Sequence, residues 1–155
     1  MNNALVNKYT PVEILFAEDD SDDSQLFADA LAQLPFETRL NTVFNGLDVI
    51  NYLNTTSSLP HIIFLDLNMP KLSGIACLEV IRKNPVYSQI PCVILSTSTN
   101  PEDIMTSYGN GANLYFAKPI SFYDLKRMID KALRLNWEHY FPPLEDSFFI
   151  TEKRF

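Results

Sequence analysis

Apolar residues along this chain fall into short, nearly continuous runs, separated by longer stretches where they recur every three or four positions. Val12–Ala17 is one run, interrupted only by Glu13; residues 62–65, 92–95 and 113–117 are others. Such runs lack alternation, as expected of parallel strands buried on both faces. Residues 38–44 alternate more, through Arg39 and Asn41, and suit an edge strand. Between the runs lie helical patterns. From Ser21 onward Leu26, Phe27, Ala30, Leu31 and Leu34 mark one helix, and residues 47–53 form a short second one after an Asn45–Gly46 turn. Leu72, Ile75, Leu78 and Ile81 mark a third that stops before Pro85, and Asn100 with Pro101 opens a fourth as N-cap and first-turn residue. Ser121 and Asp124 resemble a capping box for the last helix, whose core face is Phe122, Leu125, Ile129, Ala132 and Leu133. Five strand–helix units in strict alternation predict an α/β fold: a parallel sheet with right-handed crossovers and helices on both faces.

Composition narrows the function. A chain of 155 residues, 46% hydrophobic and 20% charged, fits one domain with a proper core. We divide it into a leader at 1–11, a main domain at 12–135 and an aromatic-rich extension at 136–155. A net charge of -7 argues against nucleic acid and anionic membranes as partners. No apolar run is long enough to span a membrane and the start does not read as a signal peptide, so a cytoplasmic location is expected. Cys77 and Cys92 then read as reduced, packed thiols. His61 and His139 have no partner at ligand spacing.

The chemistry gathers where the strands end. In residues 61–74, HIIFLDLNMPKLSG, the apolar run meets Asp66 and then the turn formers Pro70 and Gly74. The carboxyl ends of strands in an open α/β sheet are where loops and helix N-termini converge. Taken alone, Asp66 is equally well a turn former or an N-cap. After the first strand come Glu18, Asp19, Asp20, Asp22 and Asp23. Interaction with a helix dipole accounts for Asp22, Asp23 and part of Asp20, but not for Glu18 and Asp19, which directly end the strand. Ser96 follows the fourth strand and Lys118 the fifth. Three carboxylates roughly 5 Å apart repel by on the order of 3 kcal/mol per pair at an effective dielectric near 20, which favours a bound cation. An oxygen-only site with room for water suits magnesium, beside which Lys118 and Ser96 can hold the oxygens of a phosphoryl group on Asp66.

Over about residues 13–135 this arrangement resembles the receiver domain of two-component response regulators, of the chemotaxis-receiver type. The resemblance implies a flavodoxin-like, doubly wound five-stranded parallel sheet of order 2-1-3-4-5. It also implies phosphoryl transfer from a sensor histidine kinase onto Asp66, in a signalling protein rather than an enzyme. Glu18, Asp19, Asp66 and Asn68 are the implied magnesium ligands, Asn68 through its backbone carbonyl. Ser96, Lys118 and Tyr115 are the implied phosphoryl-binding and switch residues, with Tyr115 turning inward when Ser96 moves toward the phosphoryl group. A cis bond is implied between Lys118 and Pro119, while Asp20 is expected as an outer-shell or helix-capping group. The run 95–98, LSTS, and the extension from Trp137 resemble small stand-alone regulators paired with phytochrome-type kinases.

Rival functions face the same residues. A flavin binder of this fold needs a phosphate loop of bare amides, whereas the loop after the first strand is anionic. An aspartyl-phosphate phosphatase wants a second acid two residues after its nucleophile, where Asn68 stands. A degenerate receiver that only binds partners would lack part of the pocket. With little chain after residue 135, output is expected through a downstream protein that the sequence does not name. The extension carries Trp137, Tyr140, Phe141, Phe148, Phe149, Ile150 and Phe155. Pro142–Pro143 predicts a short helical piece, a rigid turn and an extended segment at 147–151. We expect this apolar surface to pack against a second copy as a symmetric dimer, with folding back onto its own domain as the alternative.

Overall fold

The structure, a computed structural model, describes residues 4–154. In chain order its elements are α1 Leu5–Lys8, β1 Val12–Ala17, α2 Ser21–Ala32, β2 Thr38–Val43, α3 Gly46–Thr55, β3 Ile62–Leu65 and α4 Gly74–Lys83. There follow β4 Cys92–Ser96, α5 Pro101–Gly109, β5 Leu114–Ala117, α6 Phe122–Arg134, α7 Glu145–Phe148 and β6 Phe149–Ile150. The sheet runs β2-β1-β3-β4-β5-β6, every neighbouring pair parallel. The expected order of the first five strands holds. The expectation of five strands does not, because the extension adds a sixth along β5.

Both faces are apolar, which is why the inner strands β1, β3 and β4 are buried throughout while the edge strand β2 is only partly buried. Ile14, Phe16, Phe64 and Phe116 pack under Phe27 and Leu31 of α2 and Met128, Ile129 and Leu133 of α6. Leu15, Ile63, Leu65 and Ile94 face Val49 and Leu53 of α3 and Cys77, Leu78 and Ile81 of α4. Burial pushes the Cys77 thiol up to about 12, so it packs as an inert apolar group. The capping signals work as read: Asn100 accepts from the Glu102 amide at 3.0 Å and Ser121 from the Asp124 amide at 3.0 Å.

The described residues of both flanks, 4–11 and 136–154, are packed on the domain. In the leader Ala4 and Leu5 are buried, Leu5 joins the core of α6, and the Tyr9 ring stacks on His61 at 3.7 Å. Beyond α6 a 3₁₀ turn, Trp137–Tyr140, buries Trp137, whose indole N–H donates to the Ala132 carbonyl at 3.1 Å. Phe148 is 1% exposed and meets the rings of Tyr108 and Tyr115 edge-on, with centroids 5.1 and 6.3 Å away. The Tyr108 hydroxyl donates to the Pro143 carbonyl at 2.9 Å, and the Asn113 side-chain amide to the Tyr140 carbonyl at 2.6 Å. The extension therefore folds back on its own sheet, and this corrects the expectation that a second copy covers it. Burying a large side chain is worth roughly 1.5–3 kcal/mol, and Trp137, Phe148 and Ile150 are all buried within the chain itself.

Among the described residues the cis bonds are Thr10–Pro11 and Phe141–Pro142. Lys118–Pro119 is not cis, contrary to expectation, and Lys118 reaches its acidic partners with the ordinary trans bond.

Candidate functional site

Parallel pairing builds the site. Ala17 of β1 and Leu65 of β3 are register partners, so Glu18 and Asp66, one residue on, end side by side. Their backbones are pinned there: the Glu18 amide donates to Val43 at 3.0 Å and the Asp66 amide to Ala17 at 3.1 Å. Glu18, Asp19 and Asp66 each offer a carboxylate oxygen, and these lie within 4.8 Å of one another. Glu18 and Asp66 are buried while Asp19 is exposed, giving a cluster closed on one side and open to solvent on the other.

Lys118 arrives from the far side of β4. Its four-carbon stem spans the intervening strand, which ends in the small residue Ser96. The ammonium contacts a Glu18 oxygen directly and lies 3.0 Å from Asp23 and 3.7 Å from Asp66. Burial raises the Glu18 carboxyl to about 7; Lys118 opposes the rise and Asp66 adds to it. Burial alone would lower the Lys118 ammonium, but the hydrogen bonds it donates to Glu18 and Asp23 and the negative charge of Asp66 outweigh it and hold it above its ordinary value. One ammonium does not balance Glu18, Asp19, Asp23 and Asp66. An all-oxygen donor set with this surplus of negative charge and an open side fits a hard divalent cation.

The other expected residues take distinct places. Asp20 caps α2, accepting from the amides of Asp22 and Asp23 at 2.9 Å each, and stands outside the three-carboxylate cluster. The exposed Asn68 donates its amide to Asp66 Oδ1 at 3.4 Å. Ser96 is fully buried, and its hydroxyl accepts from the Ser98 amide at 3.1 Å. Tyr115 is already inside, 0% exposed, with its hydroxyl donating to the Ser98 carbonyl at 2.8 Å. Tyr115 thus already stands inward in this conformation rather than outside awaiting a swing, and Phe148 and Phe149 pack against its ring.

Two residues carry more than their sequence reading. Asp23 reads as a dipole partner, yet it is the second carboxylate on Lys118. Side chains in a helix's first turn lean back toward its N-terminus, and that direction is the signal that would have placed Asp23 over the strand ends. Gly74 reads as a bend, yet a Cβ there would lie 2.4 Å from the Asp66 carbonyl oxygen and 2.9 Å from Leu67 Cα. The loop bearing Asp66 is thus clamped against the bare start of α4, where the Gly74 amide donates to Leu67 at 2.9 Å.

Known proteins resemble this chain in sequence and in fold. The chain is 35% identical over 133 residues to a probable methanogenesis regulatory protein, FilR2, of Methanothrix harundinacea, covering 82% of this chain and 86% of that protein. It is 35% identical over 124 residues to response regulator Rcp1 of Synechocystis sp., covering 77% and 84% of the two. The Mn(2+)-bound form of Rcp1 superposes with a TM-score of 0.72 at 32% identity, covering 84% of this chain and 94% of that one. The phosphorylated cyanobacterial phytochrome response regulator RcpA gives 0.75 at 31% identity over 85% and 95%. Residues 14–130 match the response regulator receiver domain, and the chain belongs to that family.

Proposed function

We propose that this protein is a single-domain response regulator that takes a phosphoryl group from a sensor histidine kinase onto Asp66 and signals by altering a protein-binding surface. The observation that carries this reading is the convergence of Glu18, Asp19 and Asp66 within 4.8 Å, with the Lys118 ammonium 3.7 Å from Asp66. In the transfer, the P–N bond of the donor phosphohistidine breaks as a P–O bond to the Asp66 carboxylate forms. Lys118 supplies positive charge to the incoming oxygens, and the buried Ser96 hydroxyl is the group that would leave Ser98 to meet them. When bound by Glu18, Asp19, Asp66 and the Asn68 carbonyl, magnesium supplies the remaining positive charge that a dianion needs. Ser98 links that hydroxyl to Tyr115 and so to the face carrying the extension.

Residues 12–135 form the receiver in this reading, with 1–11 as leader and 136–155 as extension, and the described residues 4–11 and 136–154 pack on it as additions. The similarity to Rcp1 and RcpA supports a phytochrome-type kinase as the donor. Among the described residues no helix is long and apolar enough to cross a membrane, in keeping with work in the cytoplasm. A second copy is a further proposed partner, not as the cover of the buried rings of the extension but through other apolar surface, for which the exposed Met105 of α5 and Leu144 are candidates. Light scattering with and without phosphodonor tests that part.

Acetyl phosphate with magnesium is expected to add one acid-labile phosphoryl group, seen by intact mass. Asp66→Asn abolishes it. Labelling that persists in this variant sinks the reading.

A further inference from the structure

At the opposite ends of the strands from the acidic cluster, both flanks close over a cleft of about 510 Å³. Its walls carry the rings of Tyr9, His61, Trp137 and Phe141, with Val86 and Glu138 among the other lining residues. The volume lies within the roughly 300–1,000 Å³ of small-molecule sites. Tyr9 and Val86 are 38% and 71% exposed, so apolar surface stands open to solvent around the cleft.

The charge of the lining is one-sided. Neither Lys nor Arg lines the cleft among the described residues, and Glu138 is an exposed carboxylate. His61 accepts the Glu13 amide on Nδ1 at 2.9 Å, so it carries its proton on Nε2 and is neutral in this arrangement. Aromatic faces present negative charge, and a carboxylate beside them selects cations over neutral molecules of the same shape. One ring already works this way: the Arg82 guanidinium lies 5.5 Å from the centroid of Phe141, which also lines a neighbouring cleft with Arg82. The flat Tyr9–His61 pair, 9° from parallel, gives a planar group a surface to stack on.

We propose that this cleft binds a planar organic cation, an amidinium or guanidinium group on an apolar body, between the aromatic rings and Glu138. The cleft lies at the amino ends of β3 and β4, whereas Asp66 lies at the carboxyl end of β3, so a ligand here and a phosphoryl group there can be held together. The proposal does not depend on the phosphoacceptor reading.

Trp137 is the chain's single tryptophan, so its fluorescence and indole N–H resonance report the cleft directly. Benzamidine should shift both saturably in the full chain, and its uncharged isostere benzamide should bind about tenfold more weakly. Glu138→Gln should remove most of that preference while leaving phosphodonor labelling of the protein unchanged. Equal binding of benzamide and benzamidine would overturn the proposal in favour of a merely apolar cleft. So would the absence of any saturable change up to about 10 mM benzamidine, a concentration well past a millimolar dissociation constant. A concentration-dependent shift of the Trp137 signal in protein alone, matched by light scattering, would overturn it too, because a second copy would then fill the cleft.

Discussion

The Lys118 ammonium lies 3.0 Å from a carboxylate oxygen of Asp23, a contact between residues 95 positions apart. Lys118 is therefore held from both sides of β1's end, by Glu18 within the cluster and by the first turn of α2 outside it. Asp23 is 43% exposed at its side chain, so its pair with Lys118 is partly screened. Asp23→Asn should change stability by less than about 1 kcal/mol. Removing one negative charge from the mouth should speed labelling by acetyl phosphate about two- to fivefold at low salt, with the gain fading at high salt. Stopped-flow measurement of labelling checks this, and a large loss of labelling would mean that Asp23 has a role beyond holding Lys118.

Glu18 gives the pocket a pH dependence with a definite sign. Its carboxyl is raised from 4.5 to about 7. A raised carboxyl favours the fold below its ordinary value, and that contribution is lost as pH rises through about 7. Metal binding runs the other way, since the ion requires the deprotonated form. Magnesium affinity should rise by up to about tenfold per pH unit below pH 7 and level off above about pH 8. Calorimetry in buffers of different ionisation enthalpy should show proton release near the lower pH only, and affinity flat across the range would contradict the assignment.

The extension and Tyr115 make a paired test. Phe148→Ala removes a ring packed on Tyr108 and Tyr115 and should cost about 3–5 kcal/mol. It should also make the Pro142–Pro143 region far more sensitive to protease. Tyr115→Phe keeps the ring but loses the hydrogen bond to Ser98, and should cost only about 1 kcal/mol. In that variant, faster amide exchange should be confined to the loop between β4 and α5.

Two glycines separate close approach from ordinary helix propensity. Gly74→Ala would drive a methyl into the Asp66 carbonyl, which is backbone and cannot swing aside. A loss of about 1–3 kcal/mol and slower labelling are expected. Gly109, in α5, has nothing within 4 Å of the corresponding position, so Gly109→Ala should gain about 0.5–1 kcal/mol with labelling unchanged. Denaturant melts of both variants decide it.

Local chemistry was legible in the sequence. The short apolar runs gave β1, β3 and β4, the caps Asn100 and Ser121 gave the starts of α5 and α6, and counting to the strand ends brought Glu18, Asp19, Asp66 and Lys118 to one place. What escaped depends on long-range fit. Asp23 required the rotation of α2 relative to the end of β5, and the residents of Tyr115's outer side required knowing where the extension returns. The helical period of the leader is a single turn, too short to read, and only packing of Leu5 on the core of α6 fixes it. An aromatic-rich segment beyond a finished domain has the same composition whether it covers its own sheet or a neighbour's.

The strand β6 pairs with β5 through Tyr115↔Phe149 and Phe116↔Ile150 alone. Without it, β5 would present an apolar edge, Leu114–Ala117, with open amides and carbonyls that any extended chain could extend into a larger sheet. A strand of two residues, entered from the helical turn α7 and left through a 3₁₀ turn at Glu152–Arg154, is too short to template another. The extension thus ends the sheet as well as enlarging it, and protects the protein against edge-to-edge aggregation.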